Sequence, residues 1–271
     1  MARHGVMVIL SALAATALLA APSHADSERL RDRLMLRLGG YNVDDAEQLI
    51  RLDASNAPAG AFIDFAETLG GETSTNVIRL DGHYRFDDRH ALGFSWYALK
   101  FDGHKVLQQD ISWGGANYAI GTTVDSEIKF DVYKVNYQYS LYNRPEVELG
   151  ALAGLHVMGT SMAISAVGIS QARSESLTAP MPVWGLFARY NFTPRLTTYF
   201  NYQFFFVSYE SKVKGGLQDF VLGLEYRATP TIGLGAAFNR FGINLEAQED
   251  AATLHFDSNW TGLMLYGSLY F

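Results

Sequence analysis

No cysteine occurs in the chain, which removes disulfide frameworks and thiolate metal sites together. After residue 25 there is no apolar run approaching about 18 residues, so a membrane-spanning helix is excluded as well. Basic residues are scarce: 21 Lys and Arg face 28 Asp and Glu, the wrong balance for a nucleic-acid footprint. Yet 48% of the residues are hydrophobic and 13% aromatic. Apolar surface on that scale has to be covered, and here a spanning helix is not what covers it.

The first residues indicate a compartment. Arg3 and His4 precede an uncharged stretch, Val6 to Ala21, and Ser23 and Ala25 stand before the polar Asp26, Ser27 and Glu28. A basic start, a short apolar stretch and a small-x-small site read as a secretory signal peptide cleaved after Ala25. Residues 1–25 are therefore read as leader and 26–271 as a single mature domain. Of the charged residues the leader removes Arg3 alone, leaving 20 basic against 28 acidic residues and a net charge of −8.

Read at period two, the apolar residues fall into files. In Phe220 to Tyr226, Phe220, Leu222, Leu224 and Tyr226 share one face, and Asp219, Gly223, Glu225 and Arg227 the other. Thr197, Tyr199, Asn201, Gln203 and Phe205 oppose Leu196, Thr198, Phe200, Tyr202, Phe204 and Phe206 in the same way. Such a sheet belongs to a sandwich or a barrel, and length separates the two. Strands are expected near 33–43, 75–87, 90–103, 126–141, 147–162, 182–192, 195–210, 217–228, 231–247 and 253–271. Most exceed the 5–6 residues usual in soluble sheets and suit the roughly 9–11 of a tilted membrane strand. Tight turns (87–89, 142–146, 193–195, 229–231) alternate with longer connections (44–74, 104–125, 163–181, with 211–216 and 248–252 shorter), as in an outer-membrane barrel. The expected fold is an all-β transmembrane antiparallel barrel of about ten strands, eight or twelve also fitting the pattern. In 44–74, Glu47–Ala54 and Gly60–Glu67 both alternate and are expected to form a hairpin above the membrane rather than two more wall strands. Tyr84, Phe86, Tyr139, Tyr190, Phe192 and Phe271 are expected in the interfacial aromatic girdle.

With a cleaved leader, amphipathic strands and a last strand ending in Phe271, the chain resembles the integral outer-membrane β-barrel proteins of Gram-negative bacteria. The hairpin Arg79 to Gly103 is similar to one in small barrels loosely grouped as OmpA-like. The resemblance implies that Leu263, Leu265, Leu269 and Phe271 form the outward file read by the barrel-assembly machinery. It also implies periplasmic chaperones as transient partners, and outer-membrane lipid and lipopolysaccharide as surroundings. It attaches no activity and no oligomeric state.

The inward face offers Arg33, Arg37, Arg79, Asp81, His83, Arg85, Lys134, Asn136, Gln138, Glu148, His156, Arg189, Asp219, Glu225, Arg227 and Asn239. Charges of both signs in a narrow barrel need partners. They make either a network that fills the lumen or the lining of a narrow porin-like channel for small hydrophilic solutes. Ten strands lie near the filled limit, and the inward Tyr97, Tyr199 and Phe205 favour filling. Gly150, Gly154, Gly233 and Gly235, also inward, are read as room for opposing arginines and tyrosines. The leading expectation is therefore a structural or surface-interaction barrel.

A surface hydrolase is the most distant alternative. Asp102 with His104, and His255 with Asp257, sit at i, i+2 near outer strand ends, where a His–carboxylate pair could activate water. No omptin motif is present, and the lipid-facing files hold almost no His or Ser for a lipid A deacylase. No cofactor and no metal cluster is indicated. Asp44, Asp45, Glu47, Asp53, Asp64, Glu67, Glu72, Asp110, Asp125, Glu249 and Asp250 map to the outer side as an acidic rim that attracts cations or basic ligands.

Overall fold

The computed structural model describes residues 32–54, 63–113, 116–167, 173–209, 213–249 and 252–271. The expected leader and cleavage site lie outside the described residues. Ten strands build the wall: β1 (Leu34–Ala54), β2 (Thr75–Arg85), β3 (His90–Val106), β4 (Thr123–Asn143) and β5 (Val147–Ala166). They continue as β6 (Arg173–Asn191), β7 (Leu196–Tyr209), β8 (Val213–Arg227), β9 (Ile232–Glu249) and β10 (Ala252–Tyr270). Each strand pairs antiparallel with its neighbour in sequence, and β10 pairs with β1 to close the ring. Hydrocarbon offers a bare N–H or C=O no partner, so closure is what lets these strands cross a bilayer.

The register sets the tilt. An outward row runs from Leu34 through Tyr84, Leu92, Tyr137, Ala153, Trp184, Phe204, Gln218, Gly242 and Asn259 to Glu47. One circuit of the barrel thus climbs β1 from Leu34 to Glu47. At about 3.3 Å per residue along a strand and about 4.8 Å between strands, the tilt is about 40°. The outward file Leu263 to Phe271 then covers about 20 Å of height before side chains are added, close to the apolar band of membrane barrels.

The girdle forms on the tight-turn side as expected. Tyr84 meets Phe86 edge-on at 5.1 Å and Tyr190 meets Phe192 at 4.8 Å. Tyr139 accepts a hydrogen bond from Arg89 at 3.2 Å, and Phe271 is exposed.

The outer half departs from the expectation in two ways. β1 continues to Ala54, paired with β10 throughout, after a bulge between Asp44 and Glu47 in which Asp45 takes φ +54°. Asp is among the few residues that accept this left-handed conformation. The extra residue switches the inward parity from Tyr41 and Val43 to Ala46, Gln48 and Ile50, all buried. The second arm of the expected hairpin is corrected: among its described residues Ile63 and Asp64 pair with β1, and Phe65–Leu69 is a helix, α1. Asp64 caps it, accepting a hydrogen bond from the Glu67 N–H at 2.8 Å, and Gly70 ends it at φ +68°. Local capping chemistry overrides the alternation there. The wall has ten strands, neither eight nor twelve.

The interior has two zones. Along β4, Lys134 and Asn136 are buried while Tyr133, Val135 and Tyr137 are exposed on the outside. Four residues nearer the outer end the pattern inverts. Ile128, Phe130 and Val132 are buried, and Lys129 and Asp131 face out. The membrane half is polar inside and apolar outside; the outer half follows the rule of a soluble protein.

Candidate functional site

The polar zone of the lumen holds nearly all the residues singled out in the sequence, in connected groups. At its centre Lys134 on β4 donates to Asp219 on β8 at 2.7 Å, both almost fully buried. Asn239 on β9 donates to the other Asp219 oxygen at 2.8 Å. The Asn239 carbonyl oxygen accepts from the Tyr41 hydroxyl at 2.7 Å and from Arg79 at 3.2 Å, and Arg79 pairs with Asp81 at 3.1 Å. The Arg79 guanidinium also lies over the Tyr97 and Tyr41 rings at 5.0 and 5.3 Å.

Nearer the tight-turn side Arg37 pairs with Glu225 at 2.9 Å and is held between the Tyr199 and Tyr266 rings at 4.4 and 4.2 Å. Glu225 accepts further bonds from Ser268, at 2.8 Å, and from the Tyr270 hydroxyl. A third group centres on Glu148, which accepts from Arg85 at 2.7 Å, Arg189 at 2.9 Å and Ser140 at 2.6 Å. Arg227 pairs with Asp32 at 2.6 Å and covers the Tyr270 ring at 3.6 Å. His156 meets Gln203 at 3.0 Å, and His83 is buried against Gly93 of β3 in the strand register.

Arg33 is corrected: it precedes β1 and is exposed. Sequence reading missed Tyr41, Ser140, Ser268 and Tyr270 as partners, because polar neutral residues carry no sign that announces a pair, and it missed Asp32 because that residue precedes the first expected strand at 33–43. The inward glycines make room, but not for arginines: Gly235 faces a tyrosine as expected, Gly150 a phenylalanine and Gly233 the Glu225 carboxylate. A Cβ on Gly235 would lie 2.4 Å from the Tyr266 ring, and one on Gly150 2.3 Å from Phe187. Tyr199 over Gly223 and Tyr41 over Gly262 repeat the device, an aromatic ring laid across the glycine of a neighbouring strand.

Above the polar zone the lumen is filled by hydrocarbon. Trp260 stacks on Phe241 at 4.2 Å, with Phe130 at 5.6 Å from the Trp260 ring. Phe65 and Leu69 of α1, and Ile111 and Tyr118 of the hairpin 111–118, bury into this core from the loops. The outer half of the lumen is thus filled by apolar side chains beside the charge network of the membrane half. The signal was present in the inverted parity of Ile128, Phe130 and Val132, whose outward neighbours are charged.

The Asp102–His104 rim pair is corrected. His104 pairs with Asp125 across β3 and β4 at 2.5 Å, and Asp102 pairs with Lys100 at 2.9 Å. Both lie on the exposed outer face. His255 lies 3.9 Å from Glu246. Burial and the neighbouring Glu47 hold the Asp257 carboxyl above the usual carboxylate range. Of the acidic rim, Asp44, Asp45, Glu47, Glu67, Glu72, Asp110 and Asp125 are exposed. Asp64 caps α1, and Asp110 accepts from the Ile120 N–H at 2.7 Å. The Asp53 and Glu249 side chains and all of Asp250 lie outside the described residues. Among the described residues no three His, Asp or Glu side chains form a metal-binding group.

The model of the family described as outer membrane protein beta-barrel domain matches residues 11–261. No curated protein matches the sequence. Among solved structures, the outer membrane protease OmpT from Escherichia coli is similar at 10% identity and a TM-score of 0.53, over 88% of this chain and 97% of that one. OprG from Pseudomonas aeruginosa is similar at 14% identity (TM-score 0.39, 88% and 95% covered), and Ail of Yersinia pestis at 12% (0.33, 88% and 98%). At such identities OmpT supports the fold alone.

Proposed function

We propose, for a chain that belongs to the outer-membrane protein β-barrel family, the role of a closed barrel that serves as a structural and surface-interaction element of the outer membrane. The observation that carries this reading is the bridge from Lys134 through Asp219 to Asn239, with Tyr41 and Arg79 joining it from β1 and β2. In a ring of ten strands β4 and β8 lie nearly opposite, so the bridge crosses the lumen. A hydrated solute would have to break buried ion pairs to pass, and then displace the apolar core above them. Both steps are costly.

The same observation argues against catalysis: the lumen carboxylates Asp81, Glu148, Asp219 and Glu225 are each committed to a cation. The exposed outward file Leu263, Leu265, Leu269 and Phe271 supports the role of assembly signal, with the barrel-assembly machinery and periplasmic chaperones as transient partners. Lipopolysaccharide is the natural neighbour of the charged collar above the belt. Liposome swelling with a small sugar tests the reading. Folded protein should leave the swelling rate at that of empty liposomes, and a dose-dependent rise would establish the channel instead.

A further inference from the structure

Above the membrane the strand ladder breaks in two places. Between β1 and β3, beyond the end of β2, the break is filled by Ile63–Gly71 and α1, with Gly71 bridged to Gly103. Between β6 and β7 it is left open by the described residues. β6 pairs with β5 from Arg173 onward, but with β7 only between Trp184↔Phe204 and Asn191↔Thr197. The outer part of β7, Phe205 to Tyr209, pairs with β8 alone.

The sequence supplies the cause. Pro180 and Pro182 stand where the two strands part, and a proline has no N–H to give a second neighbour. Next to the lipid boundary the break is shut by side chains, since Met181 and Val183 are buried. Farther out, Ser174, Glu175, Ser176, Leu177 and Thr178 are all exposed. A wall strand buries every second side chain, so five exposed residues in succession mean that both faces are free along with the edge.

Proteins usually guard such an edge with charged side chains, Pro or a bulge, and Ser174–Thr178 carries a single charge, Glu175, and no proline. One face carries Ser174, Ser176 and Thr178 beside Ala163, Ser161 and Gly159 of β5, all small and uncharged. The other carries Glu175 and Leu177. A second copy of this barrel does not fit. Two barrels facing each other in one membrane tilt their β6 edges in opposite senses, so strands inclined at about 40° cross at about 80° and cannot form a ladder.

We infer that the β6 edge at Ser174–Thr178 is a docking site for an extended polypeptide segment of a partner protein. The segment adds a strand with small side chains on the outer face and basic or apolar ones opposite Glu175 and Leu177. Main-chain hydrogen bonds supply the affinity and the alternate side chains the selectivity. The inference rests on the surface-interaction reading and gives it a partner class.

The test uses the full mature chain folded in detergent micelles and a fluorescein-labelled heptapeptide alternating threonine with lysine and valine. Fluorescence anisotropy should show saturable binding. It should weaken about tenfold or more when alternate peptide amides are N-methylated, as the loss of main-chain hydrogen bonds requires. Ser176→Pro or Leu177→Pro in the barrel should do the same, according to which of the two N–H groups points to the edge. Absent binding, or binding indifferent to N-methylation, overturns the inference. The peptide comparison on the unaltered barrel decides the matter even if both proline variants fail to fold. Failure here leaves the closed lumen untouched, because that rests on swelling and conductance.

Discussion

Lys134 and Asp219 meet at 2.7 Å inside the barrel, 85 positions apart in sequence and on nearly opposite strands. Each is within a few per cent of full burial, so removing one leaves the other charged, dry and unpaired. Asp219→Ala is expected to cost about 3–5 kcal/mol of stability. Lys134→Met with Asp219→Leu should cost clearly less than the two single changes summed. Urea unfolding in micelles, followed by tryptophan fluorescence, measures all five proteins, the unaltered chain included.

Glycine positions divide by what a side chain would meet. On Gly235 a Cβ reaches the Tyr266 ring at 2.4 Å; on the lipid-facing Gly267 its nearest neighbour is the Gly233 carbonyl oxygen at 4.0 Å. Gly235→Val is expected to lose about 1–3 kcal/mol through overpacking, whereas Gly267→Val should be close to neutral. The same unfolding measurement separates them.

Phe130 tests the apolar zone. It is fully buried and touches Phe101, Phe256 and Trp260. Phe130→Ala should cost about 3–5 kcal/mol, as a large aromatic deletion in a packed core does. A change at the same height on the outer face, Lys129→Ala, should stay within about 0.5 kcal/mol.

The tight turn between β2 and β3 carries a pH signature. Backbone N–H groups of Arg89 and His90 hold the Asp87 carboxyl below the usual carboxylate range. Its folded pKa is thus below its unfolded one. The carboxylate contributes stability above the unfolded value and loses that contribution as pH falls through the folded one. The melting temperature of Asp87→Ala should therefore lie below that of the unaltered chain at neutral pH, with the gap closing in acid.

How far the sequence reaches depends on which force sets the position. Lipid imposes one rule on the outside of every strand, so Trp184, Leu186, Leu222 and Leu265 declared their face, and ten strands could be counted. Lumen charges declared themselves because Arg79, Lys134 and Asp219 have no other place on an amphipathic strand. Which cation meets which carboxylate was hidden, since pairing across the lumen depends on shear and tilt. The bulge at Asp45 and the cap at Asp64 turn on single residues. Alternation averages over several, so it missed both, and with them the inverted interior above Val132.

Single-channel recording in a planar bilayer tests the closed lumen most directly. The folded chain, residues 26–271, should be electrically silent. The variant Arg79→Ala with Arg189→Ala should stay silent too, because the core of Phe130, Phe241 and Trp260 closes the outer half independently of those charges. Reproducible conductance steps from the unaltered chain, enlarged or re-selected by the two substitutions, would contradict the account and make the lumen a charged pore.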